Sequence, residues 1–254
     1  MDVDSRLIRV ALKQQLEADR LLGIQSVPMQ PPPTRAGKGG AGARSDKTDT
    51  ATEKAEQLRI LDETQVKACT KCTLHETRTQ TVFGQGNPNA RLVFVGEAPG
   101  YEEDKQGLVF VGRAGQLLTR IIVAMGLTRE DVFICNVLKC RPPGNRDPAA
   151  DEILACNPYL RRQLTIIQPE VLVALGAPAA KTLLNTTQSI GKLRGRFHDY
   201  YLSGVPGEGP SIPVMPTYHP AYLLRNPAEK RKTWADLQLV MQLLGLPLPD
   251  QPSS

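Results

Sequence analysis

From about residue 55 onward, short apolar runs rich in β-branched residues alternate with stretches of helical periodicity. That alternation limits the chain to one architectural class. The runs at 91–96, 131–138, 170–176 and 212–217 each have the length of a strand. They show little polar alternation, as expected where both faces of a sheet are covered. Between the first two, Leu117, Leu118, Ile121, Ile122 and Met125 mark one face of a helix over 114–125. Further helical stretches fall at about 149–167 and at 177–184, the latter just after Gly176. The pattern predicts a three-layer α/β/α domain with a central, mostly parallel, four-stranded sheet that binds ligands at the carboxyl ends of its strands.

Upstream of this domain the composition changes. Residues 1–27 carry Ile8, Leu12 and Leu16 at four-residue spacing and read as a helical extension. Residues 28–55 are rich in Pro, Gly and Ala and read as a flexible linker, because such a segment buries too little apolar surface to offset its ordering entropy. The folded domain is expected over 56–246, with a short tail over 247–254. No apolar stretch approaches eighteen residues and no leader-like h-region opens the chain, so it is read as cytoplasmic and free of the membrane. A net charge of +5 and a pI near 9.0 suit a polyanionic partner without requiring one.

Four of the five cysteines form a spaced set: Cys69 and Cys72 as C-x2-C, then Cys140 and Cys156. In a reducing cytosol these read as metal ligands rather than disulfides. Four thiolates of this spacing suit tetrahedral zinc or an iron–sulfur cluster, and spacing does not choose between them. Cys135 lies inside an apolar run and reads as a strand core residue.

Each strand run is followed by a segment with chemical potential. Gly96-Glu97-Ala98-Pro99-Gly100 makes a tight turn that exposes backbone N–H groups, and Glu103 and Asp104 follow closely. Phe110 sits in a glycine-flanked loop, Gly107–Gly112, where it is placed to stack on a planar ring. Asn136 closes the second strand run, and a strand-end amide offers a donor and an acceptor to a base edge. His219, one of three histidines, closes the fourth run just before Pro220.

Taken in order, Gly96–Gly100 with Glu103-Asp104, the 110–118 segment, Asn136-Val137-Leu138-Lys139-Cys140-Arg141-Pro142-Pro143 and the 219–225 segment closely resemble the family 4 uracil-DNA glycosylases. The resemblance runs from about Cys69 to Gly245. It implies the uracil-DNA glycosylase superfamily fold, a 4Fe–4S cluster on Cys69, Cys72, Cys140 and Cys156, and excision of uracil from single- or double-stranded DNA by a monomer. The organism is then of prokaryotic type and the enzyme nucleoid-associated through DNA.

The resemblance further implies that Phe110 stacks on a flipped uracil, that Asn136 reads its O4/N3 edge, and that backbone N–H groups of Gly96, Ala98 and Gly100 meet O2. His219 then stabilises the charge on the departing base. Basic groups at Lys139, Arg141, Arg146, Lys192, Arg194, Arg196 and Arg225 are expected to hold phosphates, with Arg141, Arg146, Arg194 and Arg225 foremost.

Other branches of the superfamily carry an aspartate in the first motif where this chain has Ala98. The carboxylate near the attacking water is therefore sought in Glu103, with Glu97 as the second carboxylate and mainly structural. No basic insertion lies between Asn136 and Cys156, and no lysine is singled out for Schiff-base chemistry, so hydrolysis without strand cleavage is expected. A metal-stabilised nucleic-acid-binding module without catalysis is the alternative. A dinucleotide-binding enzyme is disfavoured because no G-x-G-x-x-G follows a strand.

Overall fold

The computed structural model describes residues 45–248. The helical extension over 1–27, most of the linker and residues 249–254 of the tail lie outside the described residues. The linker expected over 28–55 overlaps the first described helix, α1 (Ser45–Leu61). Polar composition hid this helix. It is held by only a few anchors, Leu58 and Leu61, both buried, and Lys54, whose Nζ donates to the carbonyl of Ile167. Arg59 pairs with Glu56 and Glu63 one turn away on the exposed face.

The sheet has six strands in the order β1-β3-β2-β4-β6-β5: β1 (Gln85–Gly86), β2 (Leu92–Gly96), β3 (Phe133–Asn136), β4 (Val171–Leu175), β5 (His198–Tyr201) and β6 (Ser211–Thr217). The four expected strands are the parallel core, β3-β2-β4-β6. The count of four was too low. Two antiparallel edge strands flank that core, and they escaped notice because β1 is two residues long and β5, His-Asp-Tyr-Tyr, has no aliphatic residue.

Alternate strand residues face opposite layers. Val93, Val95, Cys135, Leu172, Ala174 and Val214 pack toward α1, α4 (Ala150–Ile167) and α5 (Ala177–Leu184). Leu92, Phe94, Ile134, Val171, Val173 and Met215 pack toward α3 (Arg113–Ala124) and α8 (Lys230–Leu244). The remaining helices are short: α2 (Tyr101–Gln106), α6 (Ile190–Leu193) and α7 (Pro220–Arg225). Among the described residues no helix is long and apolar enough to cross a membrane.

The chain leaves β2 for β3 on one side, then crosses back to β4 on the other. Such a reversal opens a crevice at the carboxyl ends of the strands. Gly96 and Asn136, the last residues of β2 and β3, lie side by side in register at its floor.

Candidate active site and thiol pocket

A cleft of about 450 Å³ opens at these strand ends, lined by Glu97–Gly100, Glu103, Phe110, Asn136, Arg146, His219, Tyr222 and Arg225 among others. Residues from four separate segments of the sequence thus share one cavity. The Phe110 and His219 rings stand 5.7 Å apart at 34°.

Phe110 adopts a left-handed backbone with φ 51°, which non-glycine residues enter only when their surroundings hold them there. Two features hold it. Arg129 donates to the carbonyls of Val109 at 2.8 Å and Phe110 at 3.3 Å, and to Thr119 Oγ1 at 3.3 Å. Gly115 supplies the space, since a Cβ there would fall 1.8 Å from the Phe110 carbonyl oxygen. Nothing in the local sequence around Arg129 signals this role.

Asn136 is 1% exposed, and its Oδ1 is a buried acceptor without a partner among the described residues. An orphaned buried acceptor costs about 1–3 kcal/mol, so its survival points to a ligand that donates to it. Gly96 faces it so closely that a Cβ there would meet Oδ1 at 2.3 Å and Phe110 Cζ at 2.7 Å.

His219 caps α7 and its Nδ1 accepts the Ala221 N–H at 3.1 Å. That bond leaves the ring proton on Nε2. Burial, with Arg225 nearby, pushes the imidazole down to about 4, so it is a neutral donor at physiological pH.

The two carboxylates differ in their partners. Glu103 lines the cleft, but its Oε1 accepts the N–H groups of Val111 and Gly112 at 2.9 and 3.0 Å, and its Oε2 accepts that of Gly100 at 3.2 Å. These three bonds tie the Gly96–Gly100 turn to the Phe110 loop. Glu97 has no such bonds among the described residues, and burial together with Asp147 pushes its carboxyl up to about 7.

The basic residues divide as well. Arg225 is exposed at the cleft without a side-chain partner among the described residues. Arg141 lies over the exposed Tyr101 ring, 5.1 Å from its centroid, and donates to Asn145. Arg146 is half-exposed and grips buried Glu152 with both nitrogens. Arg194 is committed inside the protein. It pairs with buried Asp236, which also accepts from Thr217 Oγ1 at the end of β6, so this arginine braces the strand leading to His219 rather than facing phosphate. Lys192 and Arg196 are exposed. Lys139, expected at the surface, is fully buried and cannot reach DNA.

Behind the cleft, Cys69, Cys72, Cys140 and Cys156 line one narrow pocket with Val66, Arg78 and Tyr159, and all are free thiols. Cys135 lies elsewhere, in the core of β3. Among the described residues no group of three or more His, Cys, Asp or Glu side chains converges tightly enough to hold a single metal ion. The donor chemistry around the pocket nonetheless suits sulfur-bound anionic groups. Arg78 donates to Cys140 Sγ at 3.3 Å and to the Cys69 carbonyl, and the Lys139 N–H donates to Cys156 Sγ at 3.2 Å. From Arg78 the chain passes to Thr79, whose N–H is held by the buried carboxylate of Asp104, next to Glu103. The thiol pocket and the cleft therefore share a framework.

A family profile for the uracil DNA glycosylase superfamily matches residues 83–238. The chain is 47% identical over 191 residues to a type-4 uracil-DNA glycosylase of Saccharolobus solfataricus, covering 73% of this chain and 85% of that protein. It is 51% identical over 172 residues to the type-4 enzyme of Thermotoga maritima, covering 67% and 85%. It is 43% identical over 189 residues to that of Archaeoglobus fulgidus, covering 73% and 92%.

Proposed function

The chain belongs to the type-4 uracil-DNA glycosylases of the uracil DNA glycosylase superfamily, and from that footing we propose that it excises uracil from DNA by hydrolysing the N-glycosidic bond. The observation that carries the reading is the unpartnered Oδ1 of Asn136 beside the Phe110 ring. Uracil in the cleft supplies the missing donor through N3–H, and the Asn136 amide N–H returns a bond to O4. Cytosine presents an acceptor at N3 and donors at the 4-position, so both contacts become repulsive. A base reaches such a pocket only by leaving the helix stack, at a cost smallest for mismatched or single-stranded deoxyuridine.

Phe110 stacks on the pyrimidine face. As the C1′–N1 bond breaks, its electrons pass to the base, and the neutral His219 donates through Nε2–H to the charge gathering on O2. In the Gly96–Gly100 turn the Gly100 N–H is held by Glu103 and Pro99 has none, which leaves the other N–H groups of the turn as candidates for the same oxygen. Water attacks the cationic C1′ and gives its proton to Glu97, whose lone pairs are uncommitted. Glu103 keeps the two loops in register. Arg225, exposed at the cleft, and Arg141 are the groups offered to the flanking phosphates.

Pure protein incubated with a uracil-containing oligonucleotide and then treated with alkali is expected to give a break at the uracil position. An intact strand sinks the enzymatic reading and leaves a non-catalytic nucleic-acid-binding module.

The base role of Glu97 has a pH signature. Its carboxyl titrates near 7, and only the deprotonated form accepts a proton. The value of kcat/KM, which reports the groups of the free enzyme, is therefore expected to rise as pH climbs through about 7. In Glu97→Gln this limb is expected to vanish, with a rate about 10²-fold lower at high pH. A pH–rate profile that Glu97→Gln leaves unaltered assigns the proton to another group.

The four thiols fit a 4Fe–4S cluster, which would be held by Cys69, Cys72, Cys140 and Cys156 and would fix the 141–148 loop against DNA. Hydrolysis needs no electron transfer, so the cluster's part is structural. Protein produced with iron and sulfide is expected to be brown, and Cys156→Ala to lose most of that absorbance together with its iron. A colourless wild type carrying stoichiometric zinc refutes the assignment.

A further inference from the structure

Lys139 lines the thiol pocket and bonds to the main chain of Asn136, whose side chain lines the cleft. Its side chain is 1% exposed, and lysines are almost never buried so completely unless paired. Nζ donates to the main-chain carbonyl of Asn136 at 2.7 Å and to Oε1 of Gln163 at 2.6 Å. Gln163 is itself fully buried, and its Nε2 donates to the Phe83 carbonyl at 2.9 Å, which fixes the amide oxygen toward the lysine.

The bond to Asn136 fills a gap in the sheet. The short edge strand β1 pairs with β3 only at Phe133 and Ile134, so the outer edge of β3 has no strand partner at Asn136. The ammonium takes the place of the missing ladder donor at the residue whose side chain lines the cleft.

Both acceptors are neutral, and among the described residues no carboxylate stands within ion-pair distance of Nζ. The same residue lines the thiol pocket, and Cys140 follows it directly.

We propose that Lys139 is a positioning residue: it locks the end of β3 and so sets the angle at which the Asn136 amide meets the pyrimidine edge. The proposal rests on the uracil reading above. Lys139→Met removes donor and charge at similar length, whereas Lys139→Gln keeps an N–H donor without the charge.

The probe is a single strand carrying one 2′-fluoro-2′-deoxyuridine, whose fluorine opposes the cationic sugar and so resists cleavage. The control strand carries 2′-fluoro-2′-deoxycytidine at the same place. Wild type is expected to favour the uracil strand, and Lys139→Met to lose about tenfold or more of that preference, with affinity for the cytosine strand held within about twofold. Lys139→Gln is expected to regain part of the preference, because an N–H donor remains.

Full uracil preference in Lys139→Met overturns the proposal. If Lys139→Met does not fold, Gln163→Leu frees the ammonium from its second anchor, and an undiminished preference there overturns the proposal equally. A wild type without preference for uracil defeats the uracil reading itself and this proposal with it. A wild type that discriminates beside a Lys139→Met that also discriminates defeats the lysine's role alone.

Discussion

Asn136→Ala is expected to lower kcat/KM on uracil-containing DNA by about 10³–10⁴-fold while leaving non-specific DNA binding in place. The size follows from what is removed. The amide supplies an acceptor to N3–H and a donor to O4, and neither has a substitute among the cleft residues that face the same edge. The same substitution is expected to leave the free protein as stable as wild type or more so. In the ligand-free fold the Oδ1 is buried without a partner, and deleting such an atom recovers about 1–3 kcal/mol of desolvation, offset by the small cavity left behind. Thermal unfolding therefore separates a functional loss from a folding loss. A melting temperature several degrees below wild type shows that Asn136 is structural, and retained cleavage removes it from base recognition.

Gly96→Ala is expected to be almost as damaging through a different mechanism. The added methyl would lie 2.3 Å from Asn136 Oδ1 and 2.7 and 2.8 Å from Phe110 Cζ and Cε2. All of these contacts are too short for real Cβ atoms, so both side chains must shift. The two groups that clamp the pyrimidine would move together. A loss of about 10²-fold or more in kcat/KM is expected, with a stability cost of about 1–3 kcal/mol from overpacking. Gly191→Ala is the matched control, because a Cβ there meets nothing within 4 Å. If Gly96→Ala cleaves uracil at the rate of the control, the cleft is looser than its contacts indicate and the clamp is wrongly assigned.

Much of the fold was legible from periodicity because buried parallel strands carry their signal in composition. The runs at 91–96, 131–138, 170–176 and 212–217 became β2, β3, β4 and β6 with their order along the chain intact. The edges were not legible. β5 alternates no apolar residues, and β1 has two residues. Helix α1 was read as linker over 45–55 because its residues are polar all round and its hold on the domain rests on a few long-range contacts such as Lys54 with Ile167.

At the site, motif residues such as Gly96, Phe110, Asn136 and His219 were recognisable, since each stands at a strand end or in a glycine-flanked loop. Their supporting groups were not. Arg129 holds Phe110 across 19 residues, and Arg194 reaches Asp236 across 42. Between Glu97 and Glu103 the sequence offered two carboxylates and no means of telling which one three backbone N–H groups would claim.

What the chain's order of residues determined alone was the inventory: four parallel strands, four thiols, and an aromatic, an amide and an imidazole each placed after a strand. What folding decided was the charge and occupation of each group, because desolvation and hydrogen-bond partners depend on neighbours brought in from afar. Burial silenced the imidazole of His219, three backbone N–H groups claimed Glu103, and Lys139 was drawn from the surface into the wall between two sites. These are properties of surroundings, and the surroundings exist only once the sheet has closed.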